Sequence, residues 1–224
     1  MALVNVSACK ELCVKAKCCM AARLLVGIAF GCRFVHRRST TCAGSVSMDG
    51  TIDTAREEGS HESVFVYGTL MAEEVVGCLL GRVPESRPAT MEGVVRWFIR
   101  DEVFPALMFQ GSGSTFNGSQ LPGKVDGRLL EGLSARDLRA LDYFEDDGYQ
   151  RTSVQVHTTA RSGAPEVVTT TAYIWPEELI DLVDVGRPWS YEGFRAHALE
   201  SYLEDPVRIC AADFEEEEKR CGRG

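Results

Sequence analysis

What this chain lacks narrows its identity first. No apolar run approaches the roughly 20 residues that a helix needs to cross a bilayer. The best candidate, Leu24 to Cys32, spans about nine residues between Arg23 and the group Arg33, Arg37 and Arg38, so no membrane partner is expected. There is no Gly-x-Gly-x-x-Gly or Walker pattern, which leaves nucleotide cofactors without a cradle. None of the four histidines, His36, His61, His157 and His197, stands in a recognisable nucleophile elbow, so a Ser or Cys triad is not indicated. Acidic residues are almost absent before Met48, where seven Lys/Arg face Glu11 alone for a net of +6. The total of −9 then leaves −15 for the rest. No basic stripe survives in that body, and nucleic acid is excluded as an expected partner.

Cysteine is equally uneven. Cys9, Cys13, Cys18, Cys19, Cys32 and Cys42 precede Met48, and only Cys78, Cys210 and Cys221 follow it. An odd, scattered set of three is no disulfide framework, which points to a reducing, intracellular compartment. The first four cysteines match no Cys-x2-Cys zinc spacing, and no metal is expected. Residues 1–47 have the acid-poor, Arg/Ser/Thr-bearing composition of an organellar transit peptide. The alternative is an unstructured leader with Met48 as the working start. The first reading places the protein in a chloroplast or mitochondrion, the second in the cytoplasm.

The body reads as a polar linker (48–62), one domain (63–204) and a solvated acidic tail (205–224) carrying Glu215 to Glu218. Ser63 to Tyr67 reads as a strand and Met71 to Leu80 as a helix stopped by Gly81. Val94 to Arg100 and Pro105 to Gln110 read as strands around a charged turn. Gly111 to Gly123, rich in Gly, Ser and Asn, reads as a surface loop. Val125 to Leu130 is another strand. Ser134-Ala135-Arg136-Asp137 opens a helix as a capping box with Asp in place of Glu. Tyr149 to Thr158 and Val167 to Trp175 alternate and form a hairpin, and Ser190 to Glu204 carries an apolar helical stripe. Adjacent antiparallel strands with few helices indicate an α+β fold whose sheet curls into a small barrel.

Two places carry chemistry. The apolar run Val64 to Leu70 ends abruptly at Gly68-Thr69, where a strand-to-helix turn offers unpaired backbone N–H groups to an anion. Glu145 falls on the same helical side as Leu138 and Leu141. There it is either a buried carboxyl with a raised pKa, fit for general base work, or the first residue of an exposed acidic turn with Asp146 and Asp147. A divalent cation held by Asp142, Glu145, Asp146 and Asp147 is a third reading, although the spaced Asp/Asn-Gly loop of Ca²⁺ sites is missing. A hydrolase using paired carboxylates, Glu145 with Asp142 or Asp147, is a fourth.

Val64-Phe-Val-Tyr-Gly-Thr-Leu70, Leu141-Asp-Tyr-Phe-Glu145, Tyr149-Gln-Arg151 and Tyr173-Ile-Trp175 together resemble the gamma-glutamylcyclotransferase-like superfamily, in particular its plant avirulence-induced (AIG2-like) members. Phe104-Pro105-Ala106 and Trp189 to Phe194 are similar to that subgroup. The resemblance implies a small, mixed, mostly antiparallel β-barrel with flanking helices. It implies that Tyr67, Gly68, Thr69 and Leu70 hold the α-carboxylate of a small γ-glutamyl substrate. Glu145 falls on the family's catalytic glutamate, and Tyr149 and Tyr173 match pocket-lining positions. No cofactor is implied. The alternative on the same fold is a non-catalytic small-ligand-binding or stress-response protein. Where the family often has Glu-Gly, this chain has Glu145-Asp146, and repulsion among the neighbouring carboxylates is expected to raise the Glu145 pKa. Neither the identity of the γ-glutamyl substrate nor the oligomeric state is legible.

Overall fold

Period-two alternation builds the centre of the molecule. A computed structural model describes residues 62–110 and 123–222; the leader, most of the linker and the Gly111 to Gly123 loop, up to residue 122, lie outside the described residues. Strand β1 (Glu62–Val66) leads through a 3-10 turn (Thr69–Met71) into helix α1 (Glu73–Leu80). Strands β2 (Glu85–Glu92), β3 (Val94–Ile99), β4 (Pro105–Phe109) and β5 (Lys124–Leu133) follow, then helix α2 (Ala135–Glu145). The hairpin β6 (Gln150–Thr159) and β7 (Pro165–Ile174) precedes β8 (Val183–Pro188). Helices α3 (Tyr191–His197), α4 (Leu199–Tyr202) and α5 (Arg208–Cys221) end the described chain, with a π turn (Leu203–Val207) before α5.

Five strands close into a barrel in the order β1-β5-β2-β6-β7, and β4-β3-β8 form a second sheet. Every pairing is antiparallel except β1 with β7, which aligns Val64 with Thr171 and Phe65 with Ala172. The fold is therefore the α+β, mixed but mostly antiparallel barrel that the sequence implies. Along β1, Phe65 and the following Tyr67 join an apolar cluster shared by all five barrel strands and completed by Val94 and Leu107. Val64 and Val66, pointing the other way, join the cluster beneath the helices. Strands β1 and β5 approach so closely that a Cβ at Gly127 would lie 2.3 Å from the Val66 carbonyl oxygen and 2.7 Å from the Phe65 ring.

The α1 helix buries Val75, Val76, Leu79 and Leu80 and stops at Gly81, whose φ of 70° is left-handed and suits glycine. Its first turn is a separate 3-10 turn rather than part of a helix running from Met71, because Ala72 is extended. The capping box forms as its sequence predicts: Asp137 N–H donates to Ser134 Oγ at 3.2 Å, and Ser134 N–H donates to Asp137 Oδ2 at 2.9 Å.

Two strands escape sequence reading. In β2 only Ala89 and Met91 are buried and Pro88 interrupts the pattern; in β8 only Val183 is buried. Neither presents an apolar alternation to read. The segment expected to be a solvated tail is the larger correction. Arg208–Cys221 is helical, packs on α1 and α2, and buries Cys210 and Phe214. Glu215 to Glu218 occupy the outward side of that helix, except that Glu218 is bonded by Arg136 at 2.8 Å and by Arg139 at 3.3 Å. A run of charge hid an amphipathic helix whose apolar residues are sparse.

Candidate active site

The turn after β1 passes tightly under the start of β4. A Cβ at Gly68 would meet Pro105 Cγ at 2.9 Å, so this turn has no room for a side chain. Met71 N–H donates to Gly68 O at 3.0 Å and Ala72 N–H to Thr69 O at 3.1 Å. The N–H groups of Gly68, Thr69 and Leu70 precede these first bonds of the turn, as at the start of any helical segment. Residues Phe65 to Leu70 line a cavity of about 60 Å³, room for roughly four or five water-sized groups and so for a small polar head group rather than a nucleotide.

Glu145 lines the same cavity. It is the last residue of α2, one turn beyond the fully buried Leu141. The helix alone would leave it at a wet end. Its shelter comes largely from elsewhere: Tyr67 just after β1, Tyr149 from the entry to β6, Tyr173 from β7, Tyr202 from α4 and Phe104 before β4, joined by Phe144 of its own helix. Desolvation, helped by the negative charge of Asp142, pushes the Glu145 carboxyl up to about 8. Glu145 is half-buried and combines the two sequence readings: it sits where the helix ends, yet its carboxyl lines the cavity and is desolvated there. The expected source of repulsion is corrected. Burial leads, and the carboxylate that adds to it is Asp142, three residues back on the same helix, rather than Asp146; nothing is described of the Asp147 side chain. Among the described residues no group of His, Cys, Asp and Glu converges to hold a metal ion.

The four tyrosines form the frame. Tyr67 Oη donates to the Tyr173 carbonyl oxygen. Tyr149 Oη donates to the Pro105 carbonyl oxygen at 2.7 Å, and its ring meets Trp175 edge-on at 5.1 Å. Tyr173 Oη donates to Asp142 Oδ1 at 2.8 Å, and Arg151 Nε lies 3.2 Å from that oxygen. Burial raises all four phenols above their ordinary pKa, and the charge of Glu145 contributes to each shift. All four therefore stand as neutral hydrogen-bonding groups around a single titrating carboxyl at neutral pH.

Thus the structure gathers Tyr67, Gly68, Thr69, Leu70, Glu145, Tyr149 and Tyr173 around one cavity. Sequence reasoning missed other members of its lining, notably Phe104, Phe144, Tyr202 and Pro206. It also missed Arg96, whose Nη1 donates to the Tyr67 carbonyl oxygen at 2.6 Å while its guanidinium lies 5.1 Å from the Trp189 ring centroid. An arginine inside the otherwise apolar strand Val94–Ile99 was the available signal for that residue. Tyr202 gave none, because on a helical stripe a tyrosine reads as packing.

A polar region flanks the site. Asp142, Asp146, Arg151, Tyr149 and Tyr173 line a shallower groove beside the cavity, sharing both tyrosines with it. Asp146, at the turn between them, has φ 52° and ψ −166°, a conformation nearly reserved for glycine. The aspartate therefore holds a strained turn that glycine would adopt freely.

A family profile described as gamma-glutamyl cyclotransferase, AIG2-like, matches residues 64–191. AIG2-like protein D of Arabidopsis thaliana is 36% identical over 141 residues, covering 63% of this chain and 84% of that protein. AIG2-like protein C of the same plant is 34% identical over 140 residues, covering 62% and 73%. The solution structure of another Arabidopsis thaliana protein is 24% identical with a TM-score of 0.45, covering 64% of this chain and 78% of that one.

Proposed function

The chain belongs to the AIG2-like gamma-glutamyl cyclotransferase family, and from that premise we propose that it converts a γ-glutamyl amide into 5-oxoproline and a free amine or amino acid. One observation carries the reading: a single carboxyl, sheltered and shifted up to about 8, shares a small cavity with the backbone turn Gly68 to Leu70.

The substrate contains its own nucleophile. Held folded, its α-amine attacks the γ-carbonyl and closes a five-membered ring, and that closure is favoured once the chain's freedom has been removed by binding. The backbone N–H groups of Gly68, Thr69 and Leu70 hold the α-carboxylate, and the cavity lining has no Lys or Arg to do so. The amine arrives protonated and cannot attack. The α-amine, beside its own free carboxylate, holds its proton at least as tightly as an ordinary α-amino group, about 8, and a Glu145 pKa of about 8 brings the transfer far closer to balance than an unshifted carboxylate would. Glu145 takes that proton and the neutral amine attacks; the proton on Glu145 goes to the departing amine, and the second proton shed by the attacking nitrogen as the lactam forms goes to the same amine, which leaves as the ammonium at neutral pH. An unshifted carboxylate would be too weak a base, and too strong an acid, to do both.

The test is release of 5-oxoproline from a panel of γ-glutamyl compounds: γ-glutamyl amino acids, γ-glutamylamines and glutathione. The Glu145→Gln protein is expected to bind a substrate yet release 5-oxoproline at least about 10²-fold more slowly, the usual size of a lost general base. Turnover at the unaltered rate would remove Glu145 from this role. Binding by the unaltered protein with no release across the panel would favour a ligand-binding protein on the same fold.

A further inference from the structure

The family profile ends at residue 191, but the cavity does not. Tyr202 and Pro206, from α4 and the π turn that follows it, form part of its wall. The fold has invested in placing Tyr202 there. The residue is 8% exposed, and its ring packs edge-on against Phe144 at 6.4 Å and Phe194 at 5.5 Å, with Phe104 tilted against it at 6.4 Å. Two of these rings, Phe104 and Phe144, also line the cavity, and Phe144 is the neighbour of Glu145. The Thr69 side chain hydrogen-bonds the Tyr202 phenol, tying α4 to the turn after β1. Behind Tyr202, the π turn carries Pro206, and such single wide turns recur at functional sites because they re-aim the residues beside them. The α5 helix, packed on α1 and α2, anchors the whole segment.

We propose that Tyr202 is a positioning residue for the reaction, its ring serving as the wall that keeps water from the Glu145 carboxyl, so that the C-terminal helices belong to the site. The inference rests on Glu145 being the acid/base group of the cyclotransferase reading, but its physical content does not depend on turnover. Of the titratable groups, Tyr67, Tyr149 and Tyr173 from the barrel, Asp142 from the helix of Glu145 and Tyr202 from the C-terminal helices act on Glu145 or feel its charge, and Cys210 in turn acts on Tyr202. Glu102, before β4, acts on Tyr149 and Tyr202. Cutting Tyr202 back keeps Asp142 and all three other tyrosines, and Tyr202→Phe removes the Thr69 hydrogen bond while keeping the ring, so the pair of variants separates the lost wall from the lost hydroxyl.

The experiment is a carbon-13 carboxyl titration of the full chain by NMR, with the Glu145 signal identified by its loss in Glu145→Gln. In Tyr202→Ala the midpoint is expected to fall by at least about one pH unit, towards the ordinary carboxylate value, as water enters. In Tyr202→Phe, which keeps the ring, it stays at the unaltered value. Should the alanine protein not fold, Tyr202→Leu is titrated instead, with a fall of about half a unit expected. A Glu145 midpoint unmoved in a folded alanine or leucine variant overturns the proposal, as does a phenylalanine variant that falls as far as alanine. A role in stability alone would lower the melting temperature and leave the midpoint in place. Absence of 5-oxoproline release by the unaltered protein would count against the cyclotransferase reading alone, because the titration still decides what Tyr202 does; where release is seen, the acid limb of the pH–rate profile moves with the midpoint.

Discussion

Asp142 and Glu145 lie three residues apart on α2, and their unlike surroundings set their roles. Asp142 is partly exposed and accepts a hydrogen bond from Tyr173 beside the Arg151 guanidinium. Glu145 faces the tyrosine-lined cavity. Replacing Asp142 by Asn keeps an acceptor for Tyr173 and removes the charge that disfavours ionisation of Glu145. The Glu145 midpoint, and the acid limb of the pH–rate profile, should move below 8 yet stay above an ordinary carboxylate, because burial is the larger cause. A fall all the way to the ordinary value would show that burial had been misjudged. At the next position, Asp146 holds a backbone conformation that costs other residues about 1–3 kcal/mol and glycine almost none. Glycine also has more freedom to lose on folding, so Asp146→Gly should stabilise by a net of about 1 kcal/mol, read as a rise of a few degrees in melting temperature. A lower melting temperature would mean that the Asp146 side chain contributes more than its strain costs.

The last helix is the element whose role is least evident from composition. Its moderate apolar content sits at Cys210 and Phe214, both buried, and Phe214 meets the Tyr143 ring at 5.5 Å and the Arg136 guanidinium at 5.5 Å. Phe214→Ala should therefore cost about 3 kcal/mol, the range of large-to-small core substitutions, measured by denaturant unfolding. A loss under 0.5 kcal/mol would be the behaviour of a surface residue and would return α5 to the status of an appendage. By contrast, α2 advertised itself: the Ser134 to Asp137 capping box could be read directly, because a cap depends on neighbours three residues apart. The hairpin of β6 and β7 was legible for the same reason, its alternation being local, with Gln150 opposite Ile174 at one end and Thr159 opposite Pro165 at the other.

For the molecule as a whole, the sheltered carboxyl should set a slope of stability against pH. Unfolded, Glu145 titrates near 4.3; folded, it titrates at about 8. Below the first value both states hold the proton and the burial costs nothing in charge. As pH rises from there to 8, the unfolded chain loses its proton while the folded one keeps it, and stability falls; above 8 the full penalty of a buried charge is present. Glu145→Gln removes that slope, so its advantage over the unaltered protein should be small near pH 4, grow with pH, and reach the order of a few kcal/mol at pH 8. Parallel melting curves at every pH would contradict the shelter. The sequence by itself determined the strands and helices whose patterns are local, the turn at Gly68-Thr69, and the candidate residues Glu145, Tyr149 and Tyr173 through motifs that keep their order along the chain. Only the tertiary structure decided what surrounds Glu145, since desolvation is produced by groups from β1, β7, α4 and the loop before β4, far apart in sequence. It likewise decided that β2, β8 and the acidic C-terminal segment belong to the fold. Their few buried side chains find their burial only in contacts with other elements, and no local spacing records such contacts.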